Sequence, residues 1–368
     1  MIQDLSRYKR CDKHSIGLSR TFHYMCDVMK NSNSLDQTVV VVPSIYNQVL
    51  RNFPSGFKLA FAYGSGVFQQ VGHKDKNKNM LDFIFAVEDP LLWHKTNIEL
   101  NPKHYSFLRL FGYRRIASIQ ERYGAGIYFN TLVQCEGRLV KYGVISSDRL
   151  LTDLLDWDTL YVSGRLHKPV LMIEKPAPEL DAALLTNLRS AVHAAMLILP
   201  ETFSEEQLYM TITNLSYSGD FRMSIGEDQN KIKNIVKPNM ENFRRLYETI
   251  LEKEDHFHWN KTKGLFEQPL SPSSLSHHLN LLPKILLKNL VLDRNRDGRF
   301  RDTEEVVRSL AHDMFCGEAV VKSMSQIVKS SSWSQSLKGL LTAGLSKSIR
   351  YGGAKKRLEK IKDKSTFI

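Results

Sequence analysis

Apolar positions in the first half of the chain fall into short runs that predict β-strands. Residues 59–63 form one run, which ends at Gly64, Ser65 and Gly66, and residues 80–87 form the next run after a polar, lysine-rich loop. Both runs are rich in aromatic or β-branched residues, and turn-forming residues separate them. The pattern indicates a strand, a glycine turn, a loop and a second strand.

Two further runs, residues 126–131 and 138–145, predict a β-hairpin with its turn at Glu136 and Gly137. A domain boundary follows at residues 175–178, which read Lys-Pro-Ala-Pro. Two prolines in three positions oppose both helix and strand. The first half is therefore expected to form a strand-rich domain that ends near residue 176.

Helical spacing dominates the second half of the chain. Residues 180–199 predict a long helix that Pro200 ends, and residues 204–207 have the character of a capping box that opens another helix. Residues 217–223 and 231–236 flank a turn at Gly226 and predict a second β-hairpin. Helix, turn, helix and hairpin is the element order of a winged helix.

The C-terminal tail has an amphipathic pattern. Its apolar residues recur at spacings that place them on one face of a helix, namely Trp333, Leu337, Leu340, Leu341, Leu345 and Ile349. Lys338, Lys347 and Arg350 supply basic groups. Low overall hydrophobicity, a tryptophan and flanking cations are typical of a helix that lies on an anionic membrane. A helix docked on the protein's own core is the alternative.

Length and charge add bounds to this picture. A chain of 368 residues is long enough for two or three domains. We divide it into a basic N-terminal segment (1–36), a strand-rich domain (37–176), a winged-helix-like domain (177–290) and a C-terminal region (291–368). The basic segment is either part of a mitochondrial presequence or an ordinary basic helix. The formal net charge of +12 favours a polyanionic partner, such as nucleotide phosphates, nucleic acid or an anionic membrane.

The spacing of the cysteines and the length of the apolar runs exclude several classes of protein. The cysteines Cys11, Cys26, Cys135 and Cys316 are far apart and have no C-x-x-C spacing, so neither a zinc site nor a disulfide framework is indicated. A reducing compartment fits this pattern better than secretion. A helix that spans a bilayer needs an apolar run of about 20 residues, and the sequence has no such run. Membrane contact is therefore expected to be peripheral.

The candidate chemistry starts from Asp82, an acid within an otherwise apolar predicted strand. Burial of an unpaired carboxylate costs several kcal/mol, so Asp82 is expected to face a cation or hydrogen-bond donors. A Gly-Ser turn followed by an acid on the next strand resembles the nucleotidyltransferase signature, in which the turn holds phosphates and the acid holds Mg²⁺. The signature usually has a second acid two residues on, where this chain has Ile84, so a metal site needs an acid from elsewhere.

Two residues distant in sequence are candidates to complete that site. Asp220 is either the missing acid or the partner of Arg222 in an ordinary ion pair. Lys141 lies within a predicted apolar strand, where it either reaches solvent from an edge or points into a cleft and binds a triphosphate.

A calcium-like loop and two histidines are weaker signals. Residues 293–304 match the EF-hand spacing at Asp293, Asn295, Asp297, Gly298 and Glu304. Four arginines crowd this loop, and a solvated turn is the alternative. His94 and His104 have no cysteine or histidine partner at ligand spacing, which favours packing or surface roles.

Several long strings give the chain a resemblance to a known family. They include AYGSGVF, MLDFIFAVEDPLLWH, GAGIYFNTLV, VKYGVIS, DLLDWDTLYVSGRLHKPV and LSYSGDFRMSIGED. The chain resembles the mitochondrial-type phosphatidate cytidylyltransferases, the peripheral CDP-diacylglycerol synthases also called the translocator assembly and maintenance family. The resemblance implies an α+β protein: a nucleotidyltransferase-fold domain with a mixed sheet, a winged-helix-like domain and a membrane-binding C-terminal segment.

The implied reaction joins CTP and phosphatidate to give CDP-diacylglycerol and pyrophosphate. It implies Mg²⁺ as cofactor and the matrix face of the mitochondrial inner membrane as location, with no nucleic acid partner and with the oligomeric state left open. We expect Asp82 and Asp220 to hold Mg²⁺, and the nucleotide to contact Gly64, Ser65, Gly66, Lys141 and Tyr142. Two alternatives remain: a nucleotidyltransferase that acts on RNA or protein, favoured by the winged helix and the charge, and a non-catalytic assembly factor, favoured by Ile84.

Overall fold

The structure is a computed structural model that describes residues 43–68, 79–225 and 230–343. The basic segment 1–36, the turn at Gly226, and the tail residues Leu345, Lys347, Ile349 and Arg350 lie outside these ranges. The strands of the main sheet are β1 (Phe57–Tyr63), β2 (Leu81–Val87), β3 (Ile127–Cys135), β4 (Arg138–Ser146) and β5 (Leu171–Glu174). A small sheet contains β6 (Thr202–Ser204), β7 (His258–Asn260) and β8 (Leu265–Glu267).

Helices cover most of the remaining described residues. They are α1 (Ser44–Leu50), α2 (Pro90–Leu100), α3 (Gly112–Arg122), α4 (Ser147–Asp156), α5 (Ser163–Leu166), α6 (Pro178–Met196), α7 (Glu205–Leu215), α8 (Phe221–Ile225), α9 (Lys231–Val236), α10 (Met240–Leu251), α11 (Pro272–Asn280), α12 (Lys284–Arg294), α13 (Thr303–Ala311) and α14 (Cys316–Ala343). The expectation of an α+β protein is confirmed.

The main sheet is mixed and has the strand order β3-β4-β2-β1-β5. β2 and β4 run parallel, whereas the other neighbouring strands are antiparallel. One face packs with α1 and α2 through residues such as Phe83, Phe85 and Trp93, and the other packs with α4 and α6 through Leu59 and Ile84. Because both faces are covered, β2 is apolar at nearly every position, which makes Asp82 conspicuous.

The β3–β4 hairpin lies where the sequence predicts it. Glu136 and Gly137 form its turn with φ angles of +50° and +69°, a left-handed pair that a two-residue hairpin turn requires. The predicted capping box is also confirmed: Ser204 Oγ accepts a hydrogen bond from the Gln207 amide, and Gln207 Oε1 accepts one from the Ser204 amide.

The second predicted hairpin is wrong. Residues 217–223 and 231–236 belong to a turn and to α8 and α9, so this region is helical where it is described. Ile232, Ile235 and Val236 recur at helical spacing and pack into the core of the helical region. The hairpin of this region is β7–β8, which pairs with β6 to give the strand order β6-β8-β7.

The long helix α14 packs along β3. An amphipathic helix usually turns its apolar side towards the protein, but beside β3 this helix turns polar side chains inward. Its inner face is polar at this point: Gln335 Oε1 accepts a hydrogen bond from the Ala125 amide, and Gln335 Nε2 donates to the Ile127 carbonyl. Gly124, at φ +64°, allows this contact, because a Cβ there would lie 2.5 Å from Gln335 Oε1. The outer face carries Trp333 and other large apolar side chains.

Buried histidines give a testable prediction of acid sensitivity. His94 Nδ1 lies 2.8 Å from the Tyr105 hydroxyl, and His94 Nε2 lies 2.8 Å from Gln120 Oε1. His167 Nε2 lies 3.0 Å from Asn187 Oδ1. Burial lowers the pKa of His94 from 6.5 to about 4 and that of His167 from 6.5 to about 3. The unfolded chain therefore binds more protons below pH 6.5, and stability falls as the pH drops towards these folded-state values.

At pH 5 each of these two histidines is expected to lower the free energy of unfolding by about 2 kcal/mol relative to neutral pH. Urea unfolding at pH 7.5 and pH 5.0 measures the loss. In His94→Gln the loss of unfolding free energy between pH 7.5 and pH 5.0 should be smaller than in the wild type by the contribution of this one histidine. The control His312→Gln, at an exposed position, should lose as much as the wild type. An unchanged pH dependence in His94→Gln would contradict the assignment.

Candidate active site

Asp82 and Lys141 lie opposite each other on the two parallel strands. The register pairs Asp82 of β2 with Lys141 of β4 on one side and with Tyr63 of β1 on the other. Lys141 Nζ lies 3.6 Å from Asp82 Oδ1 and 4.9 Å from the centre of the Phe129 ring. Lys141 thus points to the same face as Asp82, as the cleft interpretation expected.

The glycine turn begins directly after β1, next to this pair. Gly64 has φ +78°, and a Cβ on it would lie 3.7 Å from Asp82 Oδ2. The carbonyl of Ser65 accepts a hydrogen bond from Asn79 Nδ2, and the carbonyl of Gly66 accepts one from the Tyr46 hydroxyl. These bonds fix the carbonyls of the turn and leave its N–H groups as the donors that it can offer an anion.

Two residues close to Asp82 and Lys141 in the strands, Ile84 and Tyr142, are part of the protein core. Ile84, where the signature has its second acid, is fully buried in the core on the same face as Asp82. Tyr142 does not join the site: its side chain points to the opposite face of β4, and its hydroxyl accepts a hydrogen bond from Asn97 Nδ2 at 3.0 Å. The expected contact between the Tyr142 side chain and a nucleotide is therefore corrected, because neighbouring strand residues face opposite sides.

Asp220 forms an ion pair with Arg222. It precedes α8, is 4% exposed, and both of its carboxylate oxygens accept hydrogen bonds from the Arg222 guanidinium. Oδ1 also accepts a bond from the Arg222 amide at 3.0 Å. The ordinary ion pair considered from the sequence is thus present, at a helix start and not at a strand edge.

The cationic partners of the two candidate acids nevertheless both act on Tyr161. Burial alone would raise the pKa of the Tyr161 phenol, but the charges of Arg165, Arg222 and Lys141 together lower it below its ordinary value. A phenol that is easier to ionise despite burial indicates a strongly positive local potential. Lys141, the partner of Asp82, and Arg222, the partner of Asp220, therefore act on one residue, Tyr161.

Further cations join these residues. The Arg165 guanidinium lies 4.2 Å from the centre of the Tyr161 ring and 5.3 Å from that of Tyr63. Lys168 and Lys231 each lie 5.0 Å from the Tyr217 ring. Burial, Arg165 and Lys231 together lower the pKa of Lys168 well below its usual range. We call the set Lys141, Arg165, Lys168, Arg222 and Lys231 the basic cluster.

The loop that carries Tyr161 is held by a buried carboxylate. Asp153 at the end of α4 accepts hydrogen bonds from the Thr159 amide and hydroxyl through Oδ1, and from the Val162 and Ser163 amides through Oδ2. These bonds fix the residues immediately before Arg165. Asp153 is therefore a positioning residue for the basic cluster.

The basic cluster has a consequence for binding. The four cations Lys141, Arg165, Arg222 and Lys231 outnumber the two carboxylates, Asp82 and Asp220, and repel one another. Burial, Arg165 and Lys231 also disfavour the charged form of Lys168. A bound polyanion would remove this cost and would also accept hydrogen bonds from the guanidinium groups. The basic cluster is suited to bind several phosphate groups at once.

A divalent metal fits one of the two expected acids. Asp82 Oδ1 is buried and has no hydrogen-bond partner among the described residues, so it can serve as an oxygen ligand of the kind that Mg²⁺ prefers. The oxygens of Asp220 are taken by Arg222 in this arrangement. Asp82 is thus ready to bind a cation, whereas Asp220 must first release its arginine.

Arg165, Lys168 and Lys231 are site residues that sequence reasoning missed. Their signal was present in residues 161–168, where two cations follow Tyr161 at helical spacing, but the pattern is common on solvated surfaces. Only the fold shows that Lys231, far along the chain, lies over the same Tyr217 ring as Lys168.

The calcium-like loop has a different role. Asp293 pairs with Lys322 and Arg296, and Asp297 pairs with Arg301. Arginine and lysine thus neutralise the carboxylates that calcium would need, and Asn295 is bonded to the Arg301 backbone. The loop is a salt-bridged turn between α12 and α13.

The chain is similar to proteins of a known family. The family model described as "Phosphatidate cytidylyltransferase, mitochondrial" matches residues 46–358. Proteins named phosphatidate cytidylyltransferase, mitochondrial, are similar to this chain: that of Danio rerio is 51% identical over 86% of this chain and 94% of its own length, and that of Mus musculus is 49% identical over 84% and 92%. The protein of that name from Caenorhabditis elegans is 42% identical over 80% and 92%.

Polyanion binding to the basic cluster can be measured by thermal unfolding. Inorganic tripolyphosphate at about 100 times its Kd is expected to add about 2.7 kcal/mol to the free energy of unfolding and so to raise the Tm. Arg165→Met should reduce this rise. Lys58→Met is the matched control, because Lys58 pairs with Glu88 at the other end of β1. An equal Tm rise in Arg165→Met and wild type would contradict binding at the cluster.

Proposed function

The chain belongs to the family of mitochondrial phosphatidate cytidylyltransferases, and on this premise we propose that it transfers CMP from CTP to phosphatidate, giving CDP-diacylglycerol and pyrophosphate for cardiolipin and other mitochondrial phospholipids. The observation that carries this proposal is the meeting of the glycine turn, the Asp82–Lys141 pair and the basic cluster. Both substrates are phosphate-rich, and the cleft has the cations to hold them together.

The reaction needs alignment more than it needs a base. The phosphomonoester of phosphatidate has a second pKa of about 6 and is already largely a dianion near neutral pH. One of its oxygens attacks the α-phosphorus of CTP, the bond from that phosphorus to the bridging oxygen breaks, and pyrophosphate leaves with the electron pair. The obstacle is the repulsion between two polyanions, which fixed cations reduce.

We assign roles to the chain's own groups on this basis. The N–H groups of Gly64, Ser65 and Gly66 donate to the triphosphate, and Lys141 pairs with its β and γ oxygens. Arg165 and Arg222 have planar guanidinium groups suited to phosphate oxygens, and we assign them to the α-phosphate and the attacking phosphomonoester.

Mg²⁺ held by Asp82 would neutralise phosphate charge at the reacting centre. Asp220 is proposed to join it when Arg222 moves from the carboxylate to a phosphate group, because the oxygens of Asp220 must be freed from Arg222 to ligate a metal. In the absence of substrate, Asp220 keeps Arg222 in the cleft.

The folds of the two regions are part of the proposal. We assign the main sheet to the nucleotidyltransferase fold, supported by the strand, glycine turn and acid-bearing strand in the expected order. We assign the helical region to a winged helix, supported by the order of α6, β6, α7, α10 and the β7–β8 hairpin, and by the β6-β8-β7 sheet. A winged helix here need not bind nucleic acid.

We propose that the outer face of α14 contacts an anionic membrane, namely the matrix side of the mitochondrial inner membrane. Trp333, Leu337 and Leu340 lie on one side of α14 and are 53%, 63% and 51% exposed. The first half of α14 packs into the core through Val320 and Met324, but beside β3 the helix docks through Gln335 and Lys338. Leu337 and Leu340 therefore stay on the outer side, together with the Trp333 ring, which also stacks on Phe221. Among the described residues, every helix is too short or too polar to cross a membrane.

One expected membrane residue is corrected. Lys338 was predicted to face lipid headgroups, but it is 4% exposed and its ammonium donates to the carbonyls of Gln120 and Tyr123. Burial lowers its pKa from 10.5 to about 7. Phe107, Leu110 and Phe111, which are 56%, 79% and 63% exposed next to Arg109, offer a second apolar surface with a nearby cation.

Asp82→Asn tests the metal role. The substitution is nearly isosteric and removes the charge, so CMP transfer to phosphatidate in vesicles with Mg²⁺ should fall at least about 100-fold. Labelled CTP and lipid extraction measure the transfer, and circular dichroism checks the fold. Asp148→Asn, at an exposed position, is the control and should retain activity. Near-normal turnover in Asp82→Asn would remove Asp82 from the site.

The same assay separates the proposed function from its alternatives. Label in RNA or protein instead of lipid would indicate the other nucleotidyltransferase class. Label in no acceptor would favour a non-catalytic assembly factor.

The membrane stripe has its own test. Leu337→Ser with Leu340→Ser should reduce binding to anionic vesicles, because apolar area and electrostatic attraction both contribute to interfacial binding. Vesicle sedimentation measures this, while binding of CTP should stay unchanged. Phe300→Ser with Met314→Ser is the control, since these side chains are 92% and 88% exposed elsewhere on the surface. Equal losses in both variants would refute the assignment.

A further inference from the structure

A group of histidines in the helical region has no part in the proposed reaction. His193 lies on α6, His277 and His278 lie on α11, and Glu254 and His256 follow α10. We call these five residues the histidine cluster. Three separate elements converge there, and their contacts described below are with one another.

The ligand-type atoms of the histidine cluster lie close together. Atoms of His193, His277 and His278 are all within 4.8 Å of one another, and so are atoms of Glu254, His256 and His277. His277 belongs to both groups. His193 Nε2 and Glu254 Oε1, one from each group, are 3.6 Å apart. The two groups therefore form one continuous set around His277.

The imidazoles are not satisfied by hydrogen bonds. Nε2 of His193, His277 and His278 is buried in each case and has no hydrogen-bond partner among the described residues. A buried polar atom left without a partner costs about 1–3 kcal/mol. Such atoms are rare in folded proteins, and three in one place need a common explanation.

The charge states of these residues favour cation binding. Burial, with the neighbouring histidines, lowers the pKa of His193 well below its usual range and that of His278 to about 3. Burial lowers the pKa of His277 as well, with His256 as the second cause. The rings are thus neutral at physiological pH and have lone pairs to offer. Arg189 is the cation that faces His193 and Glu254, and Asp255 is the neighbouring acid.

The geometry matches a tetrahedral metal. Two ligand atoms bonded to Zn²⁺ at about 2.0–2.1 Å in a tetrahedron are about 3.4 Å apart. The separation of 3.6 Å between His193 Nε2 and Glu254 Oε1 is too long for a hydrogen bond and close to that value. His193 Nδ1 lies 3.0 Å from His278 Nδ1, and if it donates there, its Nε2 is left with the lone pair that a metal needs.

From this arrangement we propose that the histidine cluster is a binding site for one divalent transition-metal ion of the Zn²⁺ class. His193, His277 and Glu254 are the protein ligands, and the fourth position is open to water. His256 stacks on His277, with ring centroids 3.4 Å apart and planes at 10°, and orients it, as His278 orients His193. Imidazole nitrogen selects such ions over Mg²⁺ and Ca²⁺, which prefer oxygen. A surface cavity lined in part by Asp255, His256 and Ser274 borders the site and gives the ion a route. The ion would join α6 and α11 to the segment after α10.

Cobalt titration tests the proposal on the full chain. After treatment with a chelator and dialysis, Co²⁺ should bind with one equivalent and give the visible absorption of a tetrahedral site, and Zn²⁺ should abolish that absorption by displacement. The Tm should rise with Zn²⁺. His277→Gln is expected to weaken Co²⁺ binding at least about tenfold.

Two more variants keep the test decisive. His256→Gln, at a half-buried position beside the cavity, should weaken binding even if His277→Gln fails to fold. His258→Gln is the matched control, because this exposed histidine is two residues from His256 and outside the cluster. Absence of saturable Co²⁺ binding to the wild-type protein, or equal affinity in His256→Gln and His258→Gln, would overturn the proposal. Mg²⁺-dependent activity does not enter the result, so this test is independent of the proposed function.

Discussion

The structure depends on one electrostatic pairing, between Asp82 and Lys141 at corresponding positions of two parallel strands. β2 is otherwise apolar, β4 is apolar around Lys141, and both faces of their sheet are covered, so a charge in the middle of these strands needs a partner at the same level. The parallel register provides this partner. It also fixes the carboxylate beside the glycine turn, because β1 pairs with β2 on the other side. The site is thus a product of strand register.

A second constraint is the repulsion within the basic cluster. Each added cation raises the energetic cost of the others, because like charges in a partly buried site repel one another. Here the fold accepts this cost by holding the cations in place: Asp220 holds Arg222, and Asp153 holds the loop before Arg165. The proposed substrates remove the repulsion when they bind. Such preorganisation lowers the reorganisation needed at the moment of reaction.

The sequence allowed much of the sheet and part of the site to be predicted. Strand runs, the Glu136-Gly137 turn and the capping box at Ser204 are local signals, and the structure confirms them. Asp82 and Lys141 were recognised because a charge in an apolar strand is a local anomaly. Residues 231–236 were misread, because a run of six residues with alternating polarity fits a strand as well as a helix until its packing is known.

Other features were invisible because they depend on distant contacts. Strand alternation already implied that Tyr142 points away from the face of Lys141, but no local pattern tells that it reaches Asn97 or that Lys231 lies near Lys168. Lys338 is the clearest case: a lysine beside an apolar stripe is read as a headgroup contact, yet its ammonium binds carbonyls at the end of α3. The histidine cluster likewise draws residues from three segments, and no spacing rule links them.

The docking of α14 by its polar face has a kinetic consequence under the proposed function. A helix whose hydrogen bonds fix it to β3 through Gln335 holds its apolar stripe at a constant angle to the catalytic cleft. The protein would then meet its lipid substrate by diffusion in two dimensions and would remain on one vesicle over successive turnovers. Its rate would follow the mole fraction of phosphatidate in the bilayer, and dilution of that lipid with an inert one would slow it even when the bulk concentration is unchanged.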